Sequence, residues 1–196
     1  MKMINIGEHP ILKHVVTLKR ASKDENGGRV EYMTESQIGV INFDKVKEAY
    51  AREKGLTKHP KSNDALYIQQ GNIDTFIEFK NGYMEKGKGP ELKEKIYDSL
   101  LILMDIIDEN ISYTREHLNY ILVYNGVKNS DNENINPKTT MQDSPAREEI
   151  SKSIFKLAKD RKIGFGLDKF KGYCFKEVAT YTKEEFEQEF VAKISS

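Results

Sequence analysis

From Ala65 to Lys80 apolar and polar residues follow one another in the rhythm of β-structure. The pattern predicts a strand over Ala65–Gln69, a turn at Gly71-Asn72 where positive φ costs little, and a second strand over Ile73–Lys80 rich in β-branched and aromatic residues. Elsewhere the period lengthens to that of a helix. Phe43, Val46, Ala49 and Tyr50 form one apolar face of a helix over Phe43–Lys54, with Asn42 or Asp44 at its N-cap and Gly55 at its end. Leu92, Ile96, Leu100, Leu103, Met104 and Ile107 mark a long helix over Glu91–Asn110. The near-continuous apolar run at Asn119–Asn125 suits a strand covered on both faces.

The flanks are less regular. Residues 12–21 and Arg29–Thr34 read as strands around a polar turn at Asp24–Gly28, an N-terminal hairpin that would cover a sheet edge or meet a partner. Gly126–Asp143 is rich in Asn, Asp, Ser and Lys and reads as a mobile loop. Ser144-Pro145 opens a helix carrying Ile150, Ile154, Leu157 and Ala158. Tyr173–Tyr181 reads as a strand, and Thr182-x-x-Glu185 as a capping box for a last helix through Ile194. The expected organisation is a single α/β domain: an N-terminal extension (1–42), a core (43–125), a loop (126–143) and a helix–strand–helix segment (144–196).

The 196 residues suffice for a sizeable core, and 38% hydrophobic with 32% charged residues indicates a globular chain. No run approaches the roughly 18 apolar residues of a membrane span, and the first residues lack a signal-peptide core, so a cytoplasmic, membrane-free protein is expected. Cys174, the only cysteine, excludes an intrachain disulfide and reads as a buried small hydrophobe. The four histidines show no metal-ligand spacing, and Gly164-Phe-Gly166 is too short for a phosphate-binding fingerprint.

The chemistry gathers on the hairpin. Asp74, Phe76, Glu78 and Lys80 point to one face of the second strand, and Ile73, Thr75, Ile77 and Phe79 to the other. Two charges on a strongly apolar strand cost desolvation that mere stability would avoid. With a three-residue loop (Gln70–Asn72) Asp64 lies opposite Glu78, with Cβ atoms roughly 5 Å apart, close enough for both carboxylates to share a divalent cation. With a two-residue loop the register slips and Asp64 faces away; the residues leave both registers open.

Asp64 followed by Glu78-Phe79-Lys80 resembles the signature of the PD-(D/E)xK nuclease superfamily. The helix–strands–helix–strand order over residues 43 to about 125 matches the core order of that restriction-endonuclease-like fold. The resemblance implies a three-layer α/β core with a central mixed sheet flanked by helices. It implies Mg²⁺ (or Mn²⁺) held by Asp64 and Glu78, and Lys80 positioning the attacking water and steadying charge on a DNA phosphate. Asn63 stands where the signature has proline, with Pro60 four positions before Asp64, and Glu91-Leu92-Lys93 is a second Glu-x-Lys in a predicted helix. The family often adds an acidic ligand on the first helix, where Glu48 and Glu53 are the candidates.

Charge tempers the DNA reading, since 31 basic and 31 acidic residues leave no net charge. Lys54, Lys58, Lys61, Lys80, Lys86, Lys88, Lys93 and Lys95 nevertheless crowd around the hairpin in sequence. The alternatives are a catalytically inactive fold of this class that binds protein or nucleic acid, for example within a bacterial defence system, and a resolvase-like or repair nuclease acting as a homodimer or larger oligomer.

Overall fold

A computed structural model describes residues 9–25, 28–69, 73–84, 89–130 and 163–195. A six-stranded mixed sheet forms its centre. The strands are β1 (Val15–Thr17), β4 (Gly39–Asn42), β5 (Ala65–Tyr67), β6 (Asp74–Lys80), β7 (Leu118–Tyr124) and β8 (Val178–Thr182), in that spatial order. Pairing is antiparallel from β1 to β6 and parallel from β6 to β8. Two short strands, β2 (Lys23–Asp24) and β3 (Glu31–Tyr32), pair separately.

Alternation sends the two faces of the sheet into two cores. On one face Ile41, Leu66, Phe76, Tyr120 and Leu122 pack with α2 (Phe43–Glu53) and α3 (Gly89–Ile107) through Phe43, Val46, Leu92, Ile96 and Leu103. On the other Val40, Ala65, Ile77, Phe79, Ile121 and Val123 meet Leu18 and Met33 from the N-terminal segment. Phe186 and Val191, from a helical segment over 183–194, complete that side. The sheet is therefore covered on both faces, as a parallel β6–β7–β8 half requires. Among the described residues no helix is long and apolar enough to cross a membrane.

The core elements match the expectations closely. Asn42 caps α2, its Oδ1 accepting the Lys45 N–H at 3.0 Å, and Gly55 takes φ +66° just beyond the helix. The Thr182–Glu185 capping box forms in both directions. The flanks differ. The strand expected over 12–21 shortens to β1, because the Thr17 side chain accepts the Arg20 N–H and turns the chain into α1 (Leu18–Ala21). β1 pairs with β4, not with the segment around Arg29–Thr34, and forms a sheet edge. α4 (Ile111–His117), capped by Asn110, follows α3 where the long helix was expected to run to Asn110. Cys174 is buried in a turn before β8.

The predicted mobile loop begins as a pinned turn. Asn129 is buried, accepts the Met84 N–H at 2.8 Å, and donates to the carbonyls of Gly82 and Asn125. The rest of that loop and the helix from Ser144 lie outside the described residues, as does the Gly71-Asn72 turn.

Asp74, at the other end of β6 from Lys80, supplies a stability prediction. Asp74 is 5% exposed, and its carboxyl accepts the Gln69 N–H at 3.0 Å. Burial pushes it up to about 7 from an ordinary 3.8. A folded-state value above the unfolded one means the contribution is present below pH 3.8 and lost as pH rises through about 7. Asp74→Asn keeps the acceptor and removes the buried charge. It is expected to gain about 1–2 kcal/mol relative to wild type at pH 8 and little at pH 4, measured as the difference in Tm at the two pH values.

Candidate functional site

The β5–β6 pairing settles the register. Ala65 lies opposite Ile77, Leu66 opposite Phe76 and Tyr67 opposite Thr75. One step further places Asp64 opposite Glu78, the arrangement expected from a three-residue loop. Three elements then fix Asp64. Its carbonyl accepts the Phe43 N–H at 3.1 Å, joining it to the start of α2. Its Oδ2 accepts the Phe79 N–H at 2.7 Å. From α3, Ser99 Oγ accepts the neighbouring Asn63 N–H at 2.8 Å and Asp98 accepts the Lys61 N–H at 2.7 Å.

The structure brings Asp64, Glu78 and Lys80 together and adds Lys95 from α3. Glu78 is fully buried. Its Oε1 takes the Lys95 ammonium at 2.6 Å and the Lys80 ammonium at 3.0 Å. Lys95 also reaches Asp64 Oδ1 at 3.4 Å. The two carboxylates are thus matched by two ammonium groups, which is how a buried charge cluster avoids prohibitive desolvation.

Electrostatics in the cluster follow from that crowding. Burial, then the charge of Glu78, raises the Asp64 carboxyl above its usual range, against the pull of Lys95 and Lys80. Burial works against the Lys95 ammonium, yet Asp64 and Glu78 hold its proton more tightly than in water. Tyr120, on β7 beside Phe76, is fully buried, and burial followed by the charges of Glu78 and Asp64 pushes its hydroxyl well above 10. Tyr120 Oη, Glu78 Oε2 and both polar atoms of the Asn63 side chain are buried without a hydrogen-bond partner among the described residues.

The cluster opens onto a cavity of about 480 Å³. Asp64, Lys80, Lys95 and Asp44 line it, together with Arg20, Lys23, Asp24, Asn81 and Glu91. Asn81 fastens the N-terminal wall of this cavity: its side chain donates to Asp24 at 2.9 Å and to Glu31 at 2.5 Å, and accepts from Asn125 at 2.9 Å.

Two expectations need correction. The acidic residue that α2 offers to the cavity is Asp44, not Glu48 or Glu53. Glu48 pairs with Lys45 at 2.8 Å, Glu53 is exposed, and neither lines the cavity. The reason is position along the helix: only the first turn of α2 reaches Asp64. The lysine cluster also disperses. Lys54 pairs with Asp105 at 2.8 Å and Lys61 with Glu94 at 3.5 Å, and of the eight only Lys80 and Lys95 line the cavity among the described residues. Lys86 and Lys88 lie outside the described residues. Lys95 could be placed near the site from sequence, in the first turns of α3, but nothing in its surroundings marks it as a carboxylate partner.

The donor set suits a hard divalent cation. Asp64 and Glu78 supply oxygens from facing strands, and Glu78 Oε2 is a buried acceptor without a partner among the described residues. The bridging ammonium of Lys95 marks the place between them where positive charge is favoured. Among the described residues no group of three or more His, Cys, Asp or Glu side chains could hold a metal ion. Mg²⁺ commonly binds through one or two carboxylates and keeps several waters.

No model of a known protein family, no curated protein and no solved structure matches this chain.

Proposed function

We propose that the chain is a metal-dependent nuclease of restriction-endonuclease-like fold that hydrolyses phosphodiester bonds in DNA. The observation that carries this reading is the register-fixed pair of Asp64 and Glu78, with Asp64 and Lys80 on the wall of one open cavity and Glu78 buried behind them. Asp64 and Glu78 would hold Mg²⁺ or Mn²⁺, which when bound polarises a phosphoryl oxygen and lowers the pKa of a coordinated water. Lys80 is partly exposed, meets Glu78 at 3.0 Å, and among the described residues keeps donors free to orient a water or a phosphate oxygen. In a site partly shielded from solvent a fixed ammonium acts strongly on charge that develops during phosphoryl transfer.

Cleavage of supercoiled and linear DNA in Mg²⁺, with calorimetric Mg²⁺ titrations, tests the roles separately. Lys80→Ala is expected to lower the cleavage rate about 10²–10³-fold while still binding the metal. Asp64→Ala is expected to lose both. A Lys80→Ala protein that unfolds would identify Lys80 as a structural ion-pair partner and remove it from the chemistry.

A second reading is a non-catalytic binding module of the same fold. The cavity lining favours it in one respect: Arg20, Lys23, Lys80 and Lys95 are balanced by Asp24, Asp44, Asp64 and Glu91, so this wall carries no excess positive charge to attract DNA. Absence of Mg²⁺ binding in wild type and in a Lys95 variant would favour this reading.

A further inference from the structure

Lys95 does more than balance one buried charge. It reaches across from α3 and touches both members of the opposed pair, 2.6 Å from Glu78 Oε1 and 3.4 Å from Asp64 Oδ1. Its placement is enforced by the helix. Ser99, one turn further along the same stripe, holds the Asn63 N–H, and Asp98 holds that of Lys61. Leu92 and Ile96 are buried on either side of Lys95 in sequence and anchor the helix to the core. The ammonium is therefore delivered to the point between two carboxylates where a divalent cation would also be most favoured.

The side chain nevertheless has a way out. It is 17% exposed and lines the cavity, and a four-carbon stem can swing without moving the helix. Asp44 lines the same cavity, and its charge already attracts the Lys95 ammonium. Asp44 Oδ1 already accepts from Ser62 at 2.6 Å and from the Lys47 ammonium at 3.1 Å, so what it offers the displaced group is a carboxylate charge shared with Lys47.

We propose that Lys95 is a built-in occupant of the divalent-cation position: its ammonium holds Asp64 and Glu78 together until the cation arrives, and is then displaced into the cavity toward Asp44. The inference rests on the metal reading given above and adds a competitor to it. A cation must expel one positive charge to enter, so the wild-type affinity is set below what two carboxylates alone would give. Entry also frees an ammonium on the wall that a bound phosphate would face.

Two measurements on the full chain decide it, both with Mg²⁺ as the probe. Calorimetry is expected to show Lys95→Met binding Mg²⁺ at least tenfold more tightly than wild type. Equal or weaker binding in the variant overturns the proposal. Because Lys95→Met also removes the ammonium that pairs with Asp64 and Glu78, the wild-type protein supplies a readout independent of stability. Acylation of lysine amines, followed by peptide mass spectrometry, is expected to label Lys95 slowly without Mg²⁺ and several times faster with it. Lys54, which is paired with Asp105 outside the cavity, should keep its rate. An unchanged Lys95 rate at saturating Mg²⁺ also overturns the proposal. The failures are separable: equal Mg²⁺ binding by both proteins with DNA cleavage intact sinks the displacement alone, whereas no Mg²⁺ binding by either sinks the metal reading with it.

Discussion

Glu78→Gln is expected, on the proposed metal-dependent nuclease reading, to abolish Mg²⁺ binding and, with it, DNA cleavage, the rate falling by at least about a thousandfold. The substitution keeps the shape of a side chain that is fully buried in β6 and removes only its charge. That charge is the shared anchor of the site, since Lys80 and Lys95 both meet Glu78 Oε1. A neutral amide cannot offset a divalent cation in this setting, and loss of the several kcal/mol that a metal contributes to the transition state corresponds to about three orders of magnitude in rate. The same change leaves two ammonium groups facing Asp64 alone, so some loss of stability accompanies it. It should stay below the roughly 3–5 kcal/mol of a fully buried broken pair, because both lysines reach the cavity. Melting followed by circular dichroism, run beside the cleavage assay, separates the effects. A folded Glu78→Gln protein that cleaves DNA at the wild-type rate would remove this residue from the chemistry.

The hairpin was legible in the sequence because its pattern is regular. Period-2 alternation gave the strand faces; only the register stayed open, and the pairing of Ala65 with Ile77 fixes it. The helix around Val46 and the helix around Ile96 were legible for a similar reason, each with a long apolar stripe and clear boundaries. β4 was not, because Gly39–Asn42 is four residues long and runs straight into the cap of α2, too short for periodicity to declare itself. Its partner β1 was obscured by Thr17, whose hydroxyl converts an apparently continuous strand into a strand and a helical turn.

The candidate site was legible in its strand residues and not in its helix residues. Asp64, Glu78 and Lys80 follow from local pairing, which sequence spacing encodes. Asp44 and Lys95 depend on where α2 and α3 dock, which it does not. Among the acids of α2, Glu48 and Glu53 were the candidates, yet what matters is height along the axis. Phe43, beside Asp44, bonds the Asp64 carbonyl, and only the first turn of α2 comes within reach of the cavity.

The same docking makes Phe76 the residue whose loss should damage the fold most. Phe76 lies in β6 between Asp74 and Glu78, is fully buried, and faces Leu66 and Tyr120 on the neighbouring strands. Its ring meets Phe43 edge-on, with centroids 4.8 Å apart, so it is one of the contacts through which α2 rests on the sheet. Phe76→Ala removes the ring and leaves a cavity that the backbone ladder on both sides prevents from closing. The expected cost is about 3–5 kcal/mol, a large share of the 5–15 kcal/mol typical of a domain and a fall in Tm of roughly 10 °C or more. Phe76→Leu, which keeps most of the volume, should cost clearly less. Because α2 carries Asp44 to the cavity and bonds Asp64 through Phe43, the alanine protein should also bind Mg²⁺ more weakly at temperatures where it is still folded. An unchanged Tm for Phe76→Ala would mean that α2 is held chiefly by other contacts, and that the position of Asp44 does not depend on this aromatic pair.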